Sequence, residues 1–299
     1  LSGGRVLEFA LLGHPVSHSL SPAIHRAAFE ALGVEARYRA VDVTAEELEA
    51  AMRRMGRCGG GNVTLPHKRR AAALLDGAST RVRVTGACNC FWFEGERGLV
   101  GDNTDVAGFL QAARDLVGKD WPVGRVLLLG AGGAAAAVMA ACLEAGVGSV
   151  DVLNRTAEHG RSMASRVGGP GATVRVLEGP QSAGEPRGPG ATPVALALPE
   201  AGPADCYDLV VNATRLGLEA SDPLPLALEG VGGAAILDLV YAPNETRWVH
   251  EARARDLRAA DGLGMLVEQA AASLACWLGV EPPRRIMLEA AAHAAGRAT

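Results

Sequence analysis

The chain has 299 residues, 48% of them hydrophobic and 21% charged, with a formal net charge of −4. That is enough for two domains of ordinary size with full cores. The weakly acidic balance gives no electrostatic reason to expect nucleic acid or a membrane surface as partner, and no apolar run approaches the roughly 20 residues that span a bilayer.

The first third alternates strands and helices. Residues 7–13 predict a short apolar strand. Ser21-Pro22 has the form of a helix start, a capping hydroxyl followed by proline. Ile24, Ala27, Ala28 and Leu32 then repeat at helical spacing up to Gly33. Residues 38–43 predict a second strand, and Thr44 with Glu47 a capping box ahead of another helix. Glycines 59–61 lead into a third strand edge at Asn62-Val63-Thr64, and Pro66 opens a helix through Leu75. Residues 90–100 read as a hairpin around Glu94-Gly95-Glu96-Arg97-Gly98. Thr104 or Asp105 caps a helix that ends near Gly118.

Composition changes near residue 120. Residues 126–129 are continuously apolar, as buried parallel strands are, and a glycine-rich turn, an alanine-rich helix over 134–145 and a strand at 150–153 complete a βαβ unit. The Gly-, Pro- and Ala-rich residues 168–205 predict loops around one or two short strands. Further buried strands are expected at 209–211 and 236–240, then helices from 264 onward with a Pro282-Pro283 break. The six cysteines form no C-x-x-C pair, and residues 1–5 lack the order of a secretory signal, so the expectation is reduced thiols in a cytoplasmic protein.

Gly130-Ala131-Gly132-Gly133-Ala134-Ala135 fits G-x-G-x-x-A between a strand and a helix, which predicts dinucleotide binding. Where an acidic residue would bind an unphosphorylated ribose, the chain has Asn154-Arg155-Thr156, with no carboxylate before Glu158. An arginine there suits a 2′-phosphate, so NADP is favoured over NAD. Lys68, followed by Arg69 and Arg70, stands at a helix N-terminus, where cations oppose the helix dipole. Such a placement suggests an anionic partner, a carboxylate of the protein or of a ligand, with Asp105 the best protein candidate. A Lys–Asp pair can move a proton while hydride leaves the same carbon, but by spacing alone a solvated helix lysine is the commoner case.

These residues, in order along nearly the whole chain, resemble the shikimate dehydrogenase family. The matching motifs are Gly13-His14-Pro15 with His18-Ser19-x-Ser21-Pro22; Asn62-Val63-Thr64-x-Pro66-x-Lys68; Gly101-Asp102-Asn103-Thr104-Asp105 with Gly108-Phe109; the glycine turn; Asn154-Arg155-Thr156; Asn212-Ala213-Thr214; Val240-Tyr241-x-Pro243; and Gly262-x-Gly264-Met265-Leu266 with Gln269-Ala270. The resemblance implies an α/β protein of two domains: an N-terminal substrate domain (1–106 and 263–299, its C-terminal helices returning to it) and a Rossmann-type NADP domain (107–262), with a cleft between them. It implies Lys68 and Asp105 as the catalytic pair, Lys68 giving the proton to the nascent alcohol oxygen. Ser19, Ser21 and Thr64 would hold a substrate carboxylate. Asn89, Asp105 and Gln269 would bind ring hydroxyls, and Tyr241 would stand near the carboxylate and nicotinamide. Gly130, Ala131, Gly132, Gly133, Ala134, Asn154, Arg155, Thr156, Thr214, Arg215 and Gly262 would meet the cofactor. No metal is implied, and the family includes monomers and homodimers.

The chain departs from the family pattern at Cys90, where threonine is usual, at Arg26, at His159, where a second basic residue is common, and at Arg215, where a small residue is usual. Arg215 is a candidate to compensate for His159 at the 2′-phosphate. His14, His18 and His67 read as loop or packing residues, because the lysine and aspartate account for proton transfer. The leading expectation is reduction of 3-dehydroshikimate to shikimate by NADPH. The alternatives are a quinate/shikimate or aminoshikimate-type dehydrogenase, and a catalytically silent NADP-binding module.

Overall fold

The structure, a computed structural model, describes residues 6–169, 173–177, 196, 207–229 and 231–297. In chain order its elements are β1 (Leu7–Gly13), α1 (Ser21–Leu32), β2 (Ala36–Asp42), α2 (Leu48–Cys58), β3 (Gly59–Val63), α3 (Lys68–Ala73), β4 (Gly77–Ala78), α4 (Thr80–Thr85), β5 (Cys90–Phe93), β6 (Leu99–Asp102), α5 (Thr104–Val117), β7 (Arg125–Leu129), α6 (Gly133–Ala145), β8 (Ser149–Leu153), α7 (Ala157–Val167), β9 (Val174–Leu177), β10 (Leu209–Asn212), β11 (Ala235–Asp238), α8 (Arg247–Arg253), β12 (Ala259–Ala260), α9 (Leu263–Leu278) and α10 (Arg284–Ala294). The chain divides into two compact units, one of residues 1–109 with 264–299 and one of 110–263.

The first unit holds a mixed sheet in the order β2-β1-β3-β5-β6-β4. β1 runs parallel to β2 and β3, whereas β5 is antiparallel to both β3 and β6. β5 and β6 are the expected hairpin, closed by a 3-10 turn at Gly95–Arg97. Under α2 the core gathers Leu12, Leu48, Met52, Phe91 and Leu99. α10 packs against α1.

The second unit holds an all-parallel sheet in the order β9-β8-β7-β10-β11-β12. Counted from β7 this is 3-2-1-4-5-6, the Rossmann order, whose direction reverses between β7 and β10. β7 is apolar because helices cover central parallel strands on both faces. α6 is buried nearly all round, and its small side chains suit that position. In β8 the buried Asp151 accepts hydrogen bonds from Arg125, Arg175 and the Tyr207 hydroxyl. Burial pulls its carboxyl upward in pKa, but these three donors outweigh it, and the group stays below the usual carboxylate range.

Several boundaries differ from expectation. Ser21 is the first residue of α1 rather than its cap: the hydroxyl that takes a backbone N–H there is Ser19's, from Ser21 at 3.2 Å. At α5 the side-chain acceptor is Asn103, whose Oδ1 takes the Asp105 N–H at 3.2 Å, rather than Thr104 or Asp105. The Thr44–Glu47 box forms both reciprocal bonds, but one turn before α2 begins. α3 stops at Ala73. Most of the 168–205 stretch and Cys206 lie outside the described residues; within that stretch β9 forms, and Leu196 makes a bridge to Leu226.

Candidate active site

Lys68 reaches its place through a tight turn after β3. Thr64 N–H bonds to Leu12 O, His67 N–H to Thr64 O, and the buried His67 ring to Val43 O at 2.8 Å. His67 is therefore a packing residue, and Thr64 caps nothing: the residue before α3 is His67, with no side-chain cap. The Lys68 ammonium donates to Asp105 Oδ2 at 2.6 Å, with the side chains 19% and 5% exposed. Asp105 sits in the first turn of α5, where the helix dipole favours a negative charge. The carboxylate needed to offset a lysine at a helix start is thus present, and both partners belong to the first unit.

The other oxygen of Asp105 takes Asn89 Nδ2 at 2.8 Å. Asn89 is fully used. Its Oδ1 accepts from Thr104 N at 2.7 Å and from the Thr104 hydroxyl at 3.1 Å, and its Nδ2 also donates to Gln269 Oε1 at 3.2 Å. Because Thr104 N–H can only donate, the Asn89 oxygen must face it. Gln269 therefore turns its oxygen inward and leaves its NH2 as an available donor. Asn89, Asp105, Gln269 and Lys68 form one cluster, as expected, joined by residues given no ligand-binding role from sequence: Tyr38, Asn62, Thr104 and Ser273. Ser273 stands four residues after Gln269 on α9, a helical spacing that could have marked it.

Ser19 and Ser21 lie at the start of α1, with Ser21 buried. His14 is exposed and bonded to Asp42, and His18 is exposed. A second buried histidine is His25, not singled out beforehand. Its Nδ1 bonds to Ser21 O at 3.0 Å, and its ring stacks on Tyr38 at 4.1 Å. A carbonyl only accepts, so Nδ1 carries the proton. Burial lowers the His25 pKa to about 4. Cys90 is buried with a free thiol, and burial holds that thiol well above its usual pKa.

In the second unit the glycine turn joins β7 to α6. Gly130 has φ +107°, and a Cβ there would lie 3.0 Å from Ala213 O. Gly132 and Gly133 differ: a Cβ on either would meet nothing within 4 Å, and Gly132 has φ −83°. The protein's own packing does not require glycine at these two places. No side chain caps α6, and a Cβ on either glycine would meet no neighbour, so the start of the helix leaves a cradle that fits a pyrophosphate. Ala131 is half-buried in the turn, and Ala134 stands in the first turn of α6. Beyond β8, Asn154 Nδ2 bonds to Thr156 O at 2.8 Å, and Arg155 is exposed with no ion pair among the described residues. Arg215 is exposed in the same way. The Thr214 hydroxyl is taken up locally, donating to Asn212 Oδ1 at 2.7 Å and accepting from Leu216 N at 3.0 Å. Asn212 in turn donates to Asp238 Oδ1, and burial raises the Asp238 pKa to about 6. A Cβ at Gly262 would strike Leu239 O at 2.2 Å, so backbone packing alone demands that glycine. The Tyr241 phenol, raised above its usual range by burial, stays a proton donor.

Residues 11–91 match the family model for the shikimate dehydrogenase substrate binding domain, and residues 262–292 that for the shikimate 5′-dehydrogenase C-terminal domain. The shikimate dehydrogenase (NADP(+)) of Rubrobacter xylanophilus is 43% identical over 284 residues, 93% of each chain. That of Xanthomonas campestris is 40% identical over 93% of this chain and 92% of its own. The Thermus thermophilus shikimate 5-dehydrogenase, solved with NADP(H) and shikimate, superposes with a TM-score of 0.79 at 37% identity, covering 96% of this chain and 99% of its own. A 5-ketofructose reductase of Gluconobacter superposes with a TM-score of 0.83 at 27% identity, covering 97% and 99%.

Proposed function

The chain belongs to the shikimate dehydrogenase family, and we propose that it reduces 3-dehydroshikimate to shikimate with NADPH. The observation that carries this reading is the nearly buried 2.6 Å contact between Lys68 and Asp105 within a cluster of aligned amides. NADPH, when bound, supplies the hydride. Lys68 gives a proton to the oxygen that was the carbonyl, and Asp105 keeps the ammonium aimed at it. Asn89, Asp105 and Gln269 orient the ring hydroxyls, with the free Gln269 NH2 as donor. Ser19, Ser21 and Thr64 hold the substrate carboxylate. The turn at Gly130, Gly132 and Gly133 holds the pyrophosphate, and Arg155 with Arg215 the 2′-phosphate. A cytoplasmic location, and a monomeric or homodimeric state as in the family, belong to the same reading.

The ketofructose reductase keeps this fold with a different named substrate, so substrate choice is settled by turnover. Absorbance at 340 nm, followed with shikimate or quinate and NADP or NAD, gives four kcat/KM values. Shikimate with NADP is expected to be highest. Faster quinate oxidation would overturn the substrate, and no turnover with any pair would leave only nucleotide binding.

A further inference from the structure

Asn62, near the end of β3, makes three side-chain bonds. The Tyr38 hydroxyl donates to its Oδ1 at 2.8 Å. Its Nδ2 donates to the backbone oxygen of Asn89 at 2.9 Å and to Ser273 Oγ at 2.8 Å. The Asn89 carbonyl can only accept, so the amide nitrogen must face it and the amide cannot flip. Burial holds the Tyr38 phenol well above its usual pKa, so it remains the donor that matches this orientation. Ser273 lies one helical turn beyond Gln269, and its hydroxyl also meets Gln269 O at 2.9 Å and Thr104 Oγ1 at 3.1 Å. The two N–H groups of one side chain therefore grip the backbone of Asn89 and the turn of α9 that follows Gln269.

We infer that Asn62 is a positioning residue for the ring-hydroxyl end of the site, setting the register of α9 against β3 so that Gln269 is aimed. This rests on the assignment of Asn89 and Gln269 to the ring hydroxyls. α9 is separately anchored, because Trp277 Nε1 donates to Phe91 O at 3.2 Å. Loss of the Asn62 amide should thus let Gln269 drift without undocking the helix.

The test is a double-mutant cycle of Asn62→Ala and Gln269→Ala, read as KM for shikimate, KM for NADP and kcat. Asn62→Ala is expected to raise the shikimate KM about tenfold, with the NADP KM within about twofold, and this effect is expected to shrink below about twofold in the Gln269→Ala background. Asn62→Asp, which keeps the shape but cannot donate to the Asn89 carbonyl, should be at least as impaired. An unchanged shikimate KM, a wild-type Asn62→Asp, or an Asn62 effect undiminished when Gln269 is absent would each overturn the positioning role. Wild-type turnover of shikimate with NADP tests the underlying reading separately, so an additive cycle in an enzyme that does turn shikimate over rejects this inference alone.

Discussion

The two units build their sites by opposite means. In the first, polar side chains converge until nearly every donor and acceptor is matched, as Asn89 and Asn62 illustrate. In the second, side chains are missing where the ligand would lie, and an uncapped helix start with two exposed arginines remains. A matched polar cluster recognises a particular small molecule, because each unpaired buried group would be costly. A bare helix terminus recognises a charge class that many proteins share.

The difference extends to acid. His25 has a folded pKa near 4 against 6.5 unfolded. Its contribution is full above pH 6.5 and is lost as the pH falls toward 4, about 3 kcal/mol in all. Asp238 has the reverse sign. With a folded pKa near 6 against 3.8, it favours the folded state below pH 4, and that gain is lost as the pH rises through 6. Hydrogen exchange read separately in α1 and β11 should show protection falling with acid in the first and not in the second. His25→Phe should flatten the α1 profile; parallel profiles in the two units would break the comparison.

Next in size is Gly132→Val. A Cβ there meets open space at an ordinary φ, so the melting temperature should hold while the NADP KM rises about tenfold or more and the shikimate KM stays unchanged. A fall in stability with normal NADP binding would make the turn a packing device. The smallest expected effect is that of Arg155→Ala, which should lower the preference for NADP over NAD by about fivefold, in line with one solvent-exposed charge-assisted contact. Unchanged preference would shift that role to Arg215.

How legible each unit is from sequence follows from the same contrast. The nucleotide turn is contiguous, so strand, glycines and helix can be read together from 125 to 145. The reactive pair was legible through the surrounding motifs that resemble a family, because a lysine at a helix start taken alone is more often a solvated residue. Tyr38, Asn62 and Ser273 were not, since Asn62 meets Tyr38 across 24 residues and Ser273 across 211, and no local periodicity encodes such contacts. Caps slipped by one or two places where several cap-competent residues are adjacent, as in Ser19 to Ser21 and Asn103 to Asp105. Elements as short as β4, β12 and α4 carry too few residues to show a pattern.

The most direct test of the chemistry is steady-state kinetics of Lys68→Ala with shikimate and NADP. Proton transfer through this ammonium predicts a kcat lower by about a hundredfold or more, with substrate KM within about threefold of wild type. A variant that keeps its kcat and loses only substrate affinity would make Lys68 a binding group and contradict the account.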